Sequence, residues 1–166
     1  MAIAQYGNRA RAYTLIELIA VIAIVAVMSA LALASFSTLS GDRLNGDCRK
    51  IVNDLCWARQ MAVAGKPYFS SAARRQYIIV FNTTGETYDL FYDVNGDGLP
   101  DPATENIKTQ ILSSGVDLVS VAPGPAQITF YYPQATLTQT KTITLSAQGK
   151  TRQVLVFGNT GYARIQ

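Results

Sequence analysis

The chain contains no histidine, so it lacks the side chain that most often serves as a general base or a zinc ligand. It also has no glycine-rich phosphate loop, no Gly-x-Ser-x-Gly motif and no Cys-x-x-Cys pair. No segment pairs a nucleophile with a base. These absences argue against an enzyme, and we expect the chain to have no catalytic residues.

A large excess of charge of one sign is also missing. Apart from Arg9 and Arg11, which precede a long apolar run, basic and acidic side chains are nearly equal in number. General binding of nucleic acid needs a broad basic face, and a balanced chain does not supply one.

The two cysteines, Cys48 and Cys56, are few enough to pair as one disulfide in an exported domain. Their surroundings favour a helix, because apolar residues recur at spacings of three and four. That stripe is Leu44, Cys48, Ile51, Leu55, Ala58 and Ala62. Cysteines at this separation on one helix have Cα atoms roughly 12 Å apart, whereas a disulfide tolerates about 7 Å. We therefore predict two buried free thiols.

The run from Ala12 to Ser40 contains one charged residue, Glu17. A helix from Tyr13 to Phe36 would be roughly 36 Å long and would span a hydrocarbon core of about 30 Å. An acid within the bilayer costs about 2.5–3.5 kcal/mol, so Glu17 is expected to have a partner. The alternative is that Glu17 snorkels to the cytoplasmic interface. The run is longer than the apolar region of a signal peptide, although small residues at 30–32 offer a cleavage site.

The segment Tyr13-Thr-Leu-Ile-Glu17-Leu18, with a basic leader before it and an apolar run after it, resembles the class III signal of type IV pilins and type II secretion pseudopilins. The resemblance implies cleavage between Ala12 and Tyr13 by a prepilin peptidase, which also N-methylates Tyr13. It further implies that Glu17 pairs with the terminal amine of a neighbouring subunit during filament assembly. The partners would be other pilin or pseudopilin subunits, the peptidase, an inner-membrane assembly platform and membrane lipid.

Two positions depart from that family pattern. Ala12 stands where the family usually has glycine, and Ala34 stands where many major pilins have a helix-kinking proline. The first predicts slow processing, and the second favours a minor component of the filament over a major one.

We expect the helix to loosen near Ser40-Gly41-Asp42, to resume as an amphipathic helix and to stop at Gly65. This divides the chain into a leader at 1–12, a transmembrane helix at 13–36, an amphipathic continuation at 37–64 and a globular domain at 65–166. The positive leader would stay cytoplasmic, which places a single-pass protein in the bacterial inner membrane with its globular domain in the periplasm.

The globular domain reads as strands rich in β-branched and aromatic residues, separated by glycine and proline turns. The segments are 76–81, 87–92, 106–112, 116–121, 127–132, 141–145, 153–157 and 162–165. Turns this short join antiparallel strands. The predicted fold is α+β, with a long amino-terminal helix packed on one or two antiparallel sheets.

The segment Asp54–Gly65 and the C-terminal stretch from Ile143 to Arg164 are similar to GspH/FimT-type minor pseudopilins and minor pilins. This resemblance implies a structural subunit of a type II secretion pseudopilus or a type IV pilus, not an enzyme. FimT-type members associated with DNA uptake share a Gly-Arg-x-Arg motif, and Gly161-Tyr-Ala-Arg164 keeps only its second arginine. DNA binding through Arg164 is therefore the alternative function.

One further motif lies between the second and third predicted strands. Asp93, Asn95, Asp97, Leu99 and Asp101 occupy loop positions one, three, five, seven and nine of a calcium loop, with glycine at position six. The twelfth position, however, is Thr104, and Glu105 follows one place late. We predict calcium binding, and the alternative is a metal-free turn, which uses the same residue types.

Overall fold

The computed structural model describes residues 14–65 and 76–166, without the side chains of 32–38. The predicted cleavage site, Ala12 and Tyr13, lies outside the described residues. The chain divides after Ser37 into two compact units. One helix, α1, runs from Leu15 to Val63 and supplies residues to both units.

The first unit begins with a capped helix terminus. The Thr14 carbonyl accepts hydrogen bonds from the backbone N–H groups of Glu17 at 3.0 Å and Leu18 at 3.2 Å. The Thr14 hydroxyl oxygen lies 3.3 Å from the Glu17 nitrogen. This is the first half of a capping box, and it leaves Glu17 in the first turn, where the helix dipole favours negative charge.

From Leu15 to Leu31 apolar side chains lie on all sides of the helix, and every large one is more than half exposed, between 52% and 77%. In the part of the chain that the structure describes, no helical stretch is long and apolar enough to cross a membrane.

The second unit begins with the rest of α1, which carries the predicted stripe. All six stripe residues are buried, with exposed fractions of 2% or less. The helix continues through Ser40–Asp42 without a break, so the predicted loosening there is wrong. It ends as predicted, because Gly65 adopts a φ of 59° and its N–H bonds to the Ala62 carbonyl at 3.1 Å.

The described residues after the helix, 76–166, contain eight strands, one at each predicted segment. They are β1 Gln76–Asn82, β2 Thr87–Asp93, β3 Asn106–Ile111, β4 Asp117–Ala122, β5 Gln127–Tyr131, β6 Lys141–Ala147, β7 Lys150–Val156 and β8 Ala163–Ile165. They form two four-stranded sheets in the orders β3-β2-β1-β5 and β4-β6-β7-β8. All pairings are antiparallel, and β4 and β5 belong to different sheets although they are adjacent in the chain.

The two sheets and the stripe of α1 share one hydrophobic core. Inward-pointing residues of the strands include Tyr77 and Ile79 of β1 and Ile143 and Leu145 of β6, and burial alternates regularly along β6. Trp57 of α1 packs edge-on against Tyr77, with ring centroids 5.6 Å apart. This arrangement confirms the predicted α+β fold and settles the number of sheets at two.

Two aspartates join α1 to the strands. Asp47 is fully buried and accepts hydrogen bonds from the Ser113 N–H at 2.7 Å, the Ser113 hydroxyl at 3.0 Å and Lys50 at 2.8 Å. Asp54 accepts from the Tyr88 hydroxyl at 2.7 Å and pairs with Lys108 at 2.9 Å. Burial and the Asp54 hydrogen bond both raise the pKa of Tyr88, which therefore stays protonated as the donor.

We predict that Asp47→Ala lowers the free energy of unfolding by about 2–4 kcal/mol, because it leaves the Ser113 N–H without its acceptor. Urea denaturation of the full chain in detergent measures this. Asp42→Ala, an exposed site on the same helix, is the control and should change stability by less than about 0.5 kcal/mol. Equal losses in both variants would show that Asp47 does not fasten the helix.

Candidate functional site

Two sequence motifs that are far apart in the chain meet in the structure. The Nε of Arg59 on α1 donates a hydrogen bond to the Thr160 carbonyl at 2.6 Å, and its guanidinium lies 4.1 Å from the ring centroid of Tyr162. Gly161 has a φ of 66°, and a Cβ there would lie 2.3 Å from the Ala135 carbonyl oxygen. Only glycine fits this turn, so Arg59 and Gly161 hold the C-terminal strand near the end of α1.

Arg164, the predicted DNA-binding residue, lies on β8 with its guanidinium 5.2 Å from the centroid of the Phe157 ring. The other arginine of the two motifs, Arg59, already donates to the Thr160 carbonyl and stacks on the Tyr162 ring. A stacked arginine of this kind is typical of a structural contact. DNA binding through Arg164 stays a prediction, and no observed contact favours it.

Hydrogen bonds from backbone N–H groups to side-chain oxygens hold the predicted calcium loop together. Asp93 is fully buried, and its two carboxylate oxygens accept hydrogen bonds from the N–H groups of Gly96 at 2.6 Å and Gly98 at 2.9 Å. Asn95 accepts from the Asp97 N–H at 2.8 Å, and Asp97 accepts from the Leu99 N–H at 2.7 Å. The loop is thus a series of local turns closed by side-chain oxygens.

Glu105 follows the twelfth position of the predicted calcium loop by one residue, and it forms the central contact of this loop. It is 1% exposed, and its Oε1 accepts from the N–H groups of Val94 at 2.9 Å and Asn95 at 3.2 Å. Its Oε2 accepts from the Asp101 N–H at 3.1 Å. One buried carboxylate therefore closes both ends of the loop. The sequence signal for this residue is an acid directly before a predicted strand, a few residues after turns that contain glycine.

The predicted metal ligands make hydrogen bonds within the loop. Asp101 accepts from the Ala103 N–H at 2.9 Å and from the Thr104 hydroxyl at 2.6 Å, and these two hydrogen bonds lower its pKa. Among the described residues, no group of three or more Asp, Glu or Cys side chains is placed to hold a metal. The geometry favours the metal-free turn, and calcium binding stays a prediction.

Both cysteines are free thiols, as predicted. Cys48 is fully buried in the stripe, and burial, with a smaller effect from Asp47, raises the pKa of its thiol to about 11. Cys56 is only partly buried, so the prediction that both are buried is wrong for Cys56. It lies off the stripe, one residue from Leu55, on a flank of the helix that the core covers incompletely.

The remaining candidate is the amino-terminal turn. Glu17 is exposed in the first turn of α1, and no described residue of the first unit is basic. The described part of the first unit thus presents a single acid among exposed apolar side chains, with no cation of its own to pair with it.

Comparison with known proteins agrees with this architecture. Residues 7–33 match the prokaryotic N-terminal methylation motif, and residues 47–161 match the family of the type II transport protein GspH. The solved structure of the minor pseudopilin EpsH from the type 2 secretion system of Vibrio cholerae superposes with a TM-score of 0.53 at 12% identity. That alignment covers 75% of this chain and 96% of EpsH. No curated protein sequence matches the chain.

We predict that Glu105→Gln lowers the free energy of unfolding by about 1–3 kcal/mol, because its amide group would face an N–H donor that the carboxylate now satisfies. Asp117→Asn, an exposed acid on β4, is the control and should be neutral. Thermal melting of the full chain measures both. Thermal melting with calcium and with a chelator also tests the predicted calcium binding. A melting temperature that rises with calcium in the wild type but not in Asp97→Asn would support calcium binding, and an unchanged melting temperature would support the metal-free turn.

Proposed function

Since this chain belongs to the family of the type II transport protein GspH and is a minor pseudopilin subunit of the type II secretion system, we propose that Glu17 fixes its position in the pseudopilus. In this proposal the Glu17 carboxylate pairs with the N-methylated terminal amine of a neighbouring subunit. The apolar surface of α1 supplies the attraction between subunits, and the ion pair selects one axial register among many apolar alternatives.

The observation that carries this proposal is the exposed apolar surface of the first unit, interrupted by one acid. Contiguous apolar surface of this kind marks a site of contact with lipid or with other proteins. Apolar packing alone permits neighbouring helices to slide along each other, because one turn of such a surface resembles the next. A single charged pair removes that freedom, as polar groups do at coiled-coil interfaces.

The chemistry of the partner follows from the surroundings of Glu17. A carboxylate in an apolar environment needs a cation, and none lies within the described first unit. The terminal amine created by cleavage before Tyr13 is a cation at the same level of the filament. Thr14 already satisfies the backbone N–H of Glu17, which leaves the side chain available for this contact.

We also propose the route by which the subunit reaches the filament. Arg9 and Arg11 keep the leader cytoplasmic, and the apolar run places the chain once across the inner membrane with its globular unit in the periplasm. A prepilin peptidase cuts after Ala12 and N-methylates Tyr13, and an assembly platform in the inner membrane then adds the subunit. The methylation motif at residues 7–33 supports this route.

We predict that Glu17→Ala lowers incorporation into the pseudopilus at least tenfold, while the amount of subunit in the membrane stays the same or rises. Removing an acid from an apolar run makes insertion easier, by at most about 2.5–3.5 kcal/mol, which is the cost of an acid at the bilayer centre, so lost assembly cannot be attributed to poor insertion. Sheared filaments and membranes from the same cells, quantified separately, give the two values.

Ser29→Ala is the matched control for Glu17→Ala. Ser29 is a polar residue of the same run, but its hydroxyl donates to the Val25 carbonyl of its own helix at 2.7 Å. Its loss should leave assembly within about twofold of the wild type. If the Glu17→Ala subunit assembles as well as the Ser29→Ala subunit, Glu17 only snorkels to the interface and the pairing proposal is wrong.

A second prediction concerns processing. Ala12→Gly should speed cleavage of the leader, because glycine lets the extended chain enter a narrow protease site more easily than alanine does. Pulse-labelling followed by electrophoresis separates the precursor from the mature form. Ala12→Val should slow cleavage, and equal rates for all three residues would show that this position does not limit processing.

A further inference from the structure

Lys141, at the start of β6, is a buried cation that forms no ion pair with any acidic residue that the structure describes. It is 6% exposed, and its Nζ donates a hydrogen bond to the Pro125 carbonyl at 2.7 Å. The ion pairs in the described part of the chain involve other lysines, Lys50 and Lys108. An ammonium group has three N–H donors, and this contact uses one of them.

This position is costly for a lysine. Burial lowers the pKa of Lys141, because a low-dielectric environment disfavours its charged form. A methionine would fill similar space without that cost, and replacing a buried charge with an apolar residue of similar volume is often neutral or stabilising. The packing of the domain therefore does not require a charge here, because the Pro125 carbonyl that Lys141 contacts also accepts a hydrogen bond from the Gln127 N–H at 2.7 Å.

The lysine lines a cleft of about 250 Å³ with both polar and apolar walls. One wall consists of the outward side chains of β5, namely Gln127, Thr129 and Tyr131, and the opposite wall includes Gln139. The Gln127 amide donates to the Thr129 hydroxyl oxygen at 3.1 Å. No Asp or Glu lines the cleft as the structure describes it. It thus offers a positive charge and amide donors to an entering group.

The cleft continues into a second cavity of about 300 Å³ across Tyr131. Tyr131 and Tyr132 are half exposed, at 51% and 50%, and Pro133 follows them in the same wall. The strand that carries Tyr131, β5, is at the edge of its sheet. Exposed tyrosines next to a polar rim are typical of protein–protein interfaces.

We propose that this cleft, which we name the Lys141 cleft, binds an acidic side chain of another polypeptide, with Lys141 as the partner of its carboxylate. Charge complementarity specifies the carboxylate. The surface that extends over the two tyrosines is larger than a small anion can cover, and it specifies a polypeptide as the carrier. The site lies on the second unit, so it does not depend on the pairing proposed for Glu17.

Titration of the full chain in detergent with two matched peptides tests this proposal. The probes are acetyl-Gly-Gly-Glu-Leu-Gly-amide and the same peptide with glutamine in place of glutamate, and the readout is the NMR shift of the Gln127 and Gln139 side-chain amides. We expect saturable shifts, with the glutamate peptide binding about tenfold more tightly, a difference of about 1.4 kcal/mol. Absence of saturable shifts with the glutamate peptide, or equal affinity for both peptides, would overturn the proposal.

Lys141→Met should abolish the preference for the glutamate peptide without lowering the melting temperature, because it removes an unpaired buried charge. Lys150→Met, which removes the same charge from an exposed position on β7, should retain the preference. A lower melting temperature for Lys141→Met would show that the lysine serves the fold and would contradict the proposal. Sodium acetate binding as tightly as the glutamate peptide would show a site for small free carboxylates and would overturn the assignment to a polypeptide.

Discussion

The buried stripe on the second half of α1 is the contact on which the globular unit depends. Neither sheet can bury its inner face alone, and Leu44, Ile51 and Leu55 of the helix complete a core to which both sheets contribute. Small residues at the end of the stripe, Ala58 and Ala62, are also fully buried. Asp47 and Asp54 fix the helix laterally through Ser113, Tyr88 and Lys108. The stripe buries apolar surface in the core, and the contacts of the two aspartates fix the position of the helix relative to these residues.

The same helix serves two environments, and its sequence changes character between them. From Leu15 to Leu31 apolar side chains lie on every side of the helix, and Glu17 and Ser29 are the polar residues of this described stretch. After Ser37 they narrow to one stripe, and the other side carries charge. A subunit built in this way has one part that requires neighbours or lipid and another that folds around its own core. This division accounts for a structural role in a pseudopilus.

Much of this fold could be predicted because its signals are local. Turns at Gly115, Pro123–Pro125 and Gly149 delimited the strands, and the spacing of Leu44, Cys48 and Ile51 identified the stripe. The placement of the consecutive strands β4 and β5 in different sheets could not be predicted, since it depends on long-range pairing that no local pattern encodes. The roles of Glu105 and Lys141 could not be predicted either, because each role depends on burial and on the hydrogen bonds that the side chain makes in the fold. The loop at 93–101 matched the spacing of a metal site, but spacing does not determine whether oxygens converge on a cation or close turns.

The central claim is that Glu17 binds the terminal amine of a neighbouring subunit. Carbodiimide cross-linking of assembled filaments, followed by mass spectrometry, tests it most directly, because the reagent joins a carboxylate to an amine only when they touch. The Asp54–Lys108 pair, 2.9 Å apart within one chain, is the internal positive control. We predict an amide bond between Glu17 and the amino terminus of another subunit. Recovery of the Asp54–Lys108 link together with either no Glu17 link or a link only to Tyr13 of the same chain would contradict the account.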